Sequence, residues 1–375
     1  MMIKMEEEPK DISLIVFFTL GLSLKKWDDL GSLSREIELY NRLSKYFQNI
    51  YLFTYGDNSE LKYKNLLKEN IIIVPNRYNL NPYLYSFISP IINIDIITQH
   101  SILKTNQIIG GWTALLAKSV NKNNKLVVRS GYIPSLLEKV NGNTIKYKFF
   151  KFIERVLFKS SDISIVTSTE AFFYVSKYTD NVKLITNHID TEKFKPIKIK
   201  KNNRILFIGR ITRIKNLKNL VLALDKICIG LDIIGNGNNK FKKELKTIAK
   251  LKKIDIKFLG NKKNEDLPRI INSYSLFVLP SIREGMPKTL LEAMSCGMPC
   301  IGTNVFGIRE VISNGKNGIL CGTASEDLYN AIILIINNNE LKNKISSNAR
   351  KSIKDNYSLD IIEDLEVKVY TELTK

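Results

Sequence analysis

Two glutamates with seven residues between them, Glu284 and Glu292, are the side chains whose type and spacing most suggest chemistry. A carboxylate offers only hydrogen-bond acceptors, so two of them beside a crevice suit the vicinal hydroxyls of a sugar or a ribose. The structural alternative is one surface acid and one half-buried acid on a helix, because acidic side chains on helices are usually solvated.

The elements around the two glutamates favour a ligand site. An apolar run at Leu276–Leu279 predicts a buried strand, Gly285 and Pro287 interrupt the pattern, and Lys288–Cys296 then predicts a helix. A helix that begins at the carboxyl end of a strand presents unpaired backbone N–H groups, which favour a phosphate or an oxygen-rich ligand. We therefore expect Glu284 in the turn and the second glutamate inside the helix.

A second strand end carries basic residues. The run Arg204–Gly209 predicts a strand, and Arg210 and Lys215 precede an apolar helix at Leu217–Ile227. Arginine supplies a planar fork for phosphate oxygens, and lysine supplies a mobile point charge. Both would neutralise a leaving diphosphate, although basic residues after a strand also occur on solvated edges.

Three motifs in this half of the chain resemble a known family. They are G-R-x-x-x-x-K-N at Gly209–Asn216, E-G-x-P-K-x-L-L-E-A-M-x-C-G-x-P at Glu284–Pro299, and G-I-R-E-V-I at Gly307–Ile312. They resemble the GT-B retaining glycosyltransferases of family 4, the glycosyl transferases group 1, in which the paired acids form an E-x7-E signature. The resemblance covers most of residues 160–325 and is looser in the first 160 residues.

The resemblance implies an α/β fold with two Rossmann-like, doubly wound parallel-sheet domains that face each other across a cleft. The C-terminal domain would bind a nucleotide sugar and the N-terminal domain an acceptor. Arg210 and Lys215 would stabilise the departing diphosphate without a metal, Glu284 would position the donor sugar, and Glu292 would hold the ribose. Further donor contacts would come from Gly209, Gly285, Met286, Pro287, Lys288 and Thr289.

The implied function is retaining transfer of a hexose-type sugar from a UDP- or GDP-sugar to a saccharide or lipid-linked acceptor. Surface polysaccharide or glycoconjugate biosynthesis is the expected setting. The leaving phosphate would assist deprotonation of the acceptor, so no dedicated protein base is required. The alternatives are a UDP-sugar epimerase of related two-domain fold, a glycosyl phosphorylase, and a non-catalytic basic scaffold that binds membrane or nucleic acid.

Two residues of the N-terminal half are further candidates. Gly31 belongs to a glycine-containing loop after the first predicted strand, a loop that in the resembled family faces the donor phosphates. His100 follows a strand predicted at Ile94–Thr98, so we expect it at the carboxyl end where α/β sites form. The resemblance places a catalytic histidine near the donor sugar, whereas a lone histidine is otherwise commonly a packed residue.

Strand-like and helical patterns alternate along all 375 residues, as in parallel sheets with crossover helices. We predict an N-terminal domain at 1–195 and a C-terminal domain at 196–357, with a polar linker at Lys195–Asn203. The resemblance implies that a last helix, 358–375, packs back on the N-terminal domain.

The net charge of +20 is concentrated near the middle of the chain, where residues 101–160 contain eleven Lys or Arg against two acids. Within this region, residues 146–159 mix aromatic and basic side chains as an interfacial helix does, which predicts contact with an anionic membrane surface. The alternative is a core helix with lysines on its wet face. Nucleic acid is not expected, because no helix-turn-helix, zinc-finger or RNP-type sequence is present.

Several classes of function are excluded or disfavoured. Four cysteines lack C-x2-C spacing and only two histidines are present, so no metal centre and no cofactor are expected. We interpret the cysteines as reduced core residues. Acidic residues 6–8 have the wrong charge for a secretory signal, and no apolar run reaches membrane-spanning length. A cytoplasmic protein is expected, with a peripheral position on the inner face of the membrane as a further expectation.

Overall fold

The structure is a computed structural model that describes residues 11–140 and 142–374. It divides into two compact units. The N-terminal unit contains the residues up to Thr186 and those from Glu363 onward, and the C-terminal unit is Asn187–Ile362. The acidic residues 6–8, on which the prediction about a secretory signal rests, lie outside the described residues.

The N-terminal unit contains a seven-stranded sheet in the order β3-β2-β1-β4-β5-β6-β7, with every pair parallel. Its strands are β1 Ser13–Phe17, β2 Ile50–Phe53, β3 Ile71–Val74, β4 Ser101–Thr105, β5 Lys125–Ser130, β6 Ile163–Val166 and β7 Val182–Leu184. Its helices are α1 Leu24–Asp29, α2 Leu33–Leu43, α3 Pro82–Ile92, α4 Ile94–Ile97, α5 Trp112–Val120, α6 Pro134–Val140, α7 Thr144–Ser160 and α8 Thr169–Val175.

The C-terminal unit contains a six-stranded parallel sheet in the order β10-β9-β8-β11-β12-β13. Its strands are β8 Arg204–Ile208, β9 Gly230–Ile234, β10 Ile256–Gly260, β11 Leu276–Leu279, β12 Cys300–Thr303 and β13 Ile319–Cys321. The helices are α9 Leu217–Ala223, α10 Asn239–Leu251, α11 Leu267–Asn272, α12 Lys288–Ser295, α13 Ser325–Ile336 and α14 Asn339–Tyr357. A last helix, α15 Leu359–Thr374, begins in this unit and belongs to the N-terminal unit from Glu363 onward.

Both sheets are doubly wound, which confirms the predicted fold class. Their central strands are apolar and buried on both faces, as in β1 and β11, because crossover helices cover each side. The strand order reverses between β1 and β4 in the first sheet and between β8 and β11 in the second. Such a reversal leaves a crevice at the carboxyl ends of the two strands, which is where α/β folds bind ligands.

One predicted strand is wrong. The apolar run Ile94–Thr98 forms the short helix α4 instead, and the strand is β4, Ser101–Thr105. Short apolar runs fit a helix or a strand equally well, and β4 carries Lys104, a residue type that argues against a buried strand. Lys104 is nevertheless 1% exposed.

A carboxylate on the last helix explains how Lys104 is buried. The Nζ of Lys104 forms an ion pair with Glu366 of α15 and donates a hydrogen bond to the Tyr370 hydroxyl at 2.8 Å. Burial alone would raise the pKa of Glu366, but the charges of Lys104 and Arg129 outweigh it and hold that pKa below the ordinary range. The residues of α15 from Glu363 onward therefore complete the core of the N-terminal unit.

The segment predicted as a linker lies inside the C-terminal unit. The division falls at Thr186, before the predicted boundary at 195/196. The Ile197 N–H donates to Oδ1 of Asn272 at 2.9 Å, and the amide of Asn272 donates to the Lys195 carbonyl at 3.0 Å. The buried side chain of Asn272 therefore pairs with two backbone groups of this segment, which its polar composition did not predict.

The remaining sequence predictions concern membranes and cysteines. Across residues 11–140 and 142–374, the helices are too short or too polar for any of them to cross a bilayer. Cys296 and Cys300 are buried, whereas Cys228 is exposed, so the interpretation of all four cysteines as core residues is wrong for Cys228.

Candidate functional site

The reversal point of the C-terminal sheet brings together two of the predicted catalytic residues. Lys215 follows β8 and Glu284 follows β11, and the lysine Nζ forms an ion pair with Oε1 of the glutamate. The hydroxyl of Ser281 donates to the same carboxylate oxygen at 2.6 Å. The two charged side chains are 15% and 11% exposed, so the pair is partly shielded but remains open to solvent.

Hydrogen bonds fix the two loops that carry this pair. The backbone N–H of Ile282 donates to the carbonyl of Ile214 at 2.8 Å, which joins the loop after β11 to the loop after β8. The Thr303 hydroxyl at the end of β12 donates to the carbonyl of Ser281. Because neighbouring strands hold both loops, the pair has a defined geometry before any ligand binds.

Glycines allow the strand-end loops to touch backbone to backbone. Gly235, at φ +132°, lies so close to the loop after β8 that an added Cβ would be 2.1 Å from the carbonyl oxygen of Gly209. Gly307, at φ +76°, would place a Cβ 1.7 Å from the carbonyl oxygen of Gly285. Only glycine fits either position. Sequence patterns assigned no role to Gly235, and Gly307 was noted only as the first residue of the G-I-R-E-V-I motif, since each glycine contacts a loop that is separate from it in the chain.

Asn216 is a positioning residue that sequence reasoning did not single out. It adopts the left-handed conformation at φ +54° directly before α9, and its amide donates to the carbonyl of Thr323 at 2.8 Å. Asparagine tolerates this conformation better than most residues. The signal was present in the sequence, because Asn216 ends the G-R-x-x-x-x-K-N motif.

The other residues predicted to contact the donor belong to the segments that follow β8 and β11. Gly209 directly follows β8, and the side chain of Arg210 is exposed next to it. Pro287 occupies the N-cap of α12, where Lys288 and Thr289 form the first turn. The Met286 carbonyl accepts a hydrogen bond from the Asn187 amide at 2.9 Å.

Glu292, predicted to hold a ribose, is fully buried in α12. Its Oε1 accepts a hydrogen bond from the Asn264 amide at 3.1 Å, and Asn264 in turn accepts one from Lys193 at 2.8 Å. Burial and the Glu292 carboxylate raise the pKa of the Cys296 thiol to about 12, so this thiol is protonated at neutral pH. The ribose contact stays a prediction, and it requires the carboxylate to become accessible.

The N-terminal candidates are placed differently. Gly31, at φ +69°, lies between α1 and α2, and the loop that directly follows β1 contains Gly21 instead, at φ +70°. His100 precedes β4, so it lies at the amino end of that strand and is exposed. The expected position of His100 at the carboxyl end is therefore wrong, because the strand was assigned to the wrong residues. The strand-end argument for a catalytic role of His100 is therefore lost, and the role that the resemblance implies stays a prediction.

A metal site requires several acidic, cysteine or histidine side chains that lie close together. Within the part of the chain that the structure describes, no group of three or more of them is arranged to hold a metal ion.

Two doubly wound parallel sheets are the fold of the GT-B class of glycosyltransferases. Residues 188–352 match the family model of glycosyl transferases group 1.

Three relatives illustrate the similarity. An uncharacterised glycosyltransferase of Methanocaldococcus jannaschii is 27% identical over 76% of this chain and 77% of the relative. The UDP-Gal:alpha-D-GlcNAc-diphosphoundecaprenol alpha-1,3-galactosyltransferase of Escherichia coli is 30% identical over 50% of this chain, and the alignment spans about half of that enzyme, 55%. The crystal structure of Anabaena HepE in complex with UDP and glucose superposes on this chain with a TM-score of 0.78 at 17% sequence identity. The superposition covers 96% of this chain and 100% of the HepE chain.

Proposed function

We propose that this protein is a retaining glycosyltransferase of family 4 that moves a hexose-type sugar from a UDP- or GDP-sugar to a saccharide or lipid-linked acceptor. The single observation that carries the proposal is the Lys215–Glu284 pair at the reversal point of the C-terminal sheet. A phosphate-binding cation beside a hydroxyl-binding carboxylate matches the two halves of a nucleotide sugar.

In this proposal the chemistry depends on charge stabilisation. As the bond between the anomeric carbon and the donor diphosphate breaks, negative charge develops on the leaving phosphate oxygens. Lys215 and Arg210 neutralise that charge, so the reaction as we propose it uses no metal ion. The leaving phosphate accepts the proton of the acceptor hydroxyl, and the acceptor attacks the face from which the diphosphate departs.

Glu284 positions the donor sugar by accepting hydrogen bonds from its hydroxyls, while the backbone N–H groups of Gly285, Met286, Lys288 and Thr289 face the phosphates. Glu292 accepts hydrogen bonds from the ribose once its carboxylate is accessible. Residues of the N-terminal unit recognise the acceptor.

The names of similar proteins support the substrate classes. HepE was crystallised with UDP and glucose, and the E. coli relative is named for a UDP-galactose donor and a diphosphoundecaprenol-linked acceptor. We propose the same classes here, in surface polysaccharide or glycoconjugate biosynthesis. We also propose a cytoplasmic location, peripheral on the inner face of the membrane, with α7 providing the basic and aromatic contact surface.

A thermal-shift screen over UDP-, GDP-, ADP- and CDP-sugars tests donor binding. We expect one UDP- or GDP-sugar to raise the melting temperature of the wild type, because a ligand that binds only the folded state stabilises it. Lys215→Ala should lose most of this shift. Lys218→Ala, which removes an exposed lysine three residues away, is the matched control and should keep it. A donor shift that is the same in both variants would remove Lys215 from the donor site.

Turnover with the stabilising donor tests the leaving-group role. Arg210→Ala should lower kcat by about a hundredfold, as removal of one charge-stabilising donor commonly does. Arg213→Ala is the control in the same loop, since Arg213 is exposed and binds Glu244. Equal turnover in the two arginine variants would contradict the role of Arg210. Interconversion of the donor without an acceptor would indicate an epimerase instead, and no response to any nucleotide sugar would indicate a non-catalytic scaffold.

A further inference from the structure

A groove in the N-terminal unit is lined mostly by cations. It has a volume of about 410 Å³ and lies between α7 and the residues that follow α8. Five of its seven lining side chains are positively charged and none is a carboxylate; the five are Lys148, Lys151, Arg155, Lys159 and Lys177. Its volume is within the range of ordinary ligand sites, about 300–1,000 Å³.

The charge of this groove is not neutralised by the protein. Lys148, Arg155 and Lys159 follow one face of α7 at helical spacing, and Lys177 faces them from a different segment. Among the residues that the structure describes, none of the five cations forms an ion pair with a carboxylate. Glu154, the acid of α7, is buried instead, and accepts hydrogen bonds from the N–H and hydroxyl of Ser135 at 2.7 and 2.6 Å. The groove is therefore suited to an anion from outside the chain.

The arrangement favours phosphate groups with more than one charge. Arginine binds phosphate through two parallel N–H donors and the lysines add point charges around it. Four lysines and one arginine exceed what a single phosphate needs, and they match a diphosphate with room beside it. Phe152 and Tyr178 complete the walls of the groove, and Tyr178 is held by stacking on Phe158 with ring centroids 6.1 Å apart.

The apolar surroundings favour a lipid as the carrier of these phosphates. On α7, Ile145 is 84% exposed and Phe152 is 63% exposed beside the cations. On the same face of the sheet, α5 packs against both α7 and α3. Helix α3 contains no charged residue and exposes a stripe of apolar side chains, namely Tyr83, Leu84, Phe87 and Ile91. Uncharged apolar stripes next to basic residues are typical of surfaces that enter the boundary of a bilayer.

We propose that the groove binds the diphosphate of a lipid-linked acceptor while the lipid remains in the bilayer. This inference rests on the proposed function only in taking the acceptor to be lipid-linked. It requires nothing of the donor site, which lies in the other unit.

Vesicle binding by the full chain, without any donor, tests the inference. The wild type is mixed with phosphatidylcholine vesicles that contain farnesyl diphosphate, and with vesicles that contain phosphatidylglycerol at matched surface charge. We expect tighter binding to the diphosphate vesicles. The groove variant, Lys148, Lys159 and Lys177→Gln, should weaken that binding by about tenfold or more, since each basic residue near the surface contributes substantially.

The matched control removes the same charge elsewhere. Lys344, Lys351 and Lys354→Gln changes three exposed lysines of α14 in the C-terminal unit and should leave the preference for diphosphate vesicles unchanged. The single substitution Lys177→Glu lies outside α7 and should reduce binding without disturbing that helix. Unchanged melting temperatures verify that all three variants are folded.

Four results would overturn the inference. They are equal wild-type binding to the two matched vesicle sets, equal losses in the groove and control variants, full competition by inorganic diphosphate at equal phosphate concentration, and tighter binding of an oligoribonucleotide than of diphosphate vesicles. The third would identify a site for soluble diphosphate, and the fourth a site for nucleic acid. Donor-dependent stabilisation of the same variants is measured separately, so a failed donor site and a failed groove give different results.

Discussion

Two lysine–glutamate pairs occupy comparable places in the two sheets and serve different ends. In the N-terminal unit, Lys104 on β4 pairs with Glu366 of α15, and the two side chains are 1% and 0% exposed. In the C-terminal unit, Lys215 and Glu284 pair at the strand ends and keep a solvent-exposed fraction. Both pairs join residues far apart in the sequence at a strand next to the reversal point.

The difference lies in what else each pair contacts. The buried pair is enclosed by protein groups, including the Tyr370 hydroxyl, which donates to Glu366 at 2.5 Å. The other pair contacts Ser281 and keeps a solvent-exposed fraction, so a ligand can compete for either charge. Burial thus separates a pair that stabilises the fold from a pair that is available for chemistry.

The largest expected effect comes from breaking the buried pair. Glu366→Ala leaves Lys104 charged and enclosed, so we expect the free energy of unfolding to fall by about 3–5 kcal/mol. Chemical denaturation measures it. In the double variant Lys104→Met with Glu366→Leu, both charges are removed and most of the stability should return. A double variant as unstable as the single one would show that packing, rather than the unpaired charge, causes the loss.

The pair at the C-terminal strand ends should behave in the opposite way. Glu284→Gln should change the free energy of unfolding by less than about 1 kcal/mol, because the pair is partly exposed. The same substitution should lower kcat/KM by about a hundredfold through loss of a charged acceptor for the donor sugar. Steady-state kinetics and denaturation of one preparation give both numbers. A large stability loss with intact turnover would place Glu284 with Glu366 as a structural residue.

The stability contributed by Glu366 in the buried pair should depend on pH. The folded-state pKa of Glu366 lies below its ordinary value of 4.5, so its contribution to stability is present above that pH and is lost as the pH falls through the folded-state value. The stability difference between wild type and Glu366→Gln should therefore be constant near neutrality and shrink below about pH 4.5. Denaturation at several pH values measures it, and a difference that grows in acid would contradict the assignment.

The smallest effect is expected for an exposed pair on the same helix as Glu366. Lys183 and Glu372 lie 2.9 Å apart with exposed fractions of 40% and 55%. Glu372→Ala should cost less than about 0.5 kcal/mol, because solvent screens the pair and holding two long side chains costs entropy. This variant serves as a reference for Glu366→Ala, because both substitutions break a lysine–glutamate pair on α15 and the two pairs differ in burial. A loss near that of Glu366→Ala would show that burial is not the deciding variable.

The C-terminal unit was the more predictable of the two because its signals are local. The apolar run at Leu276–Leu279, the break at Gly285 and Pro287, and the helix that follows all lie within a few residues, and the strand and helix form as predicted. The same holds for β8 and Lys215. The direct contact of Lys215 with Glu284 required the strand order, which places β8 beside β11.

In the N-terminal unit, the pattern of apolar residues assigned one strand, β4, to the wrong residues. The apolar run Ile94–Thr98 was a better strand by composition than Ser101–Thr105, whose lysine is disfavoured in a buried strand. That error moved His100 from the amino end of a strand to the carboxyl end.

The sequence by itself determined the fold class and the spacing of the charged residues at the C-terminal strand ends. These depend on local patterns of apolar residues, glycines and prolines. Only the tertiary structure decided which lysine is structural and which is available for a ligand. Lys104 is buried because Glu366, 262 residues later in the chain, supplies its counter-charge. No local pattern contains that information, since the energy of a buried charge depends on partners that folding alone brings into contact.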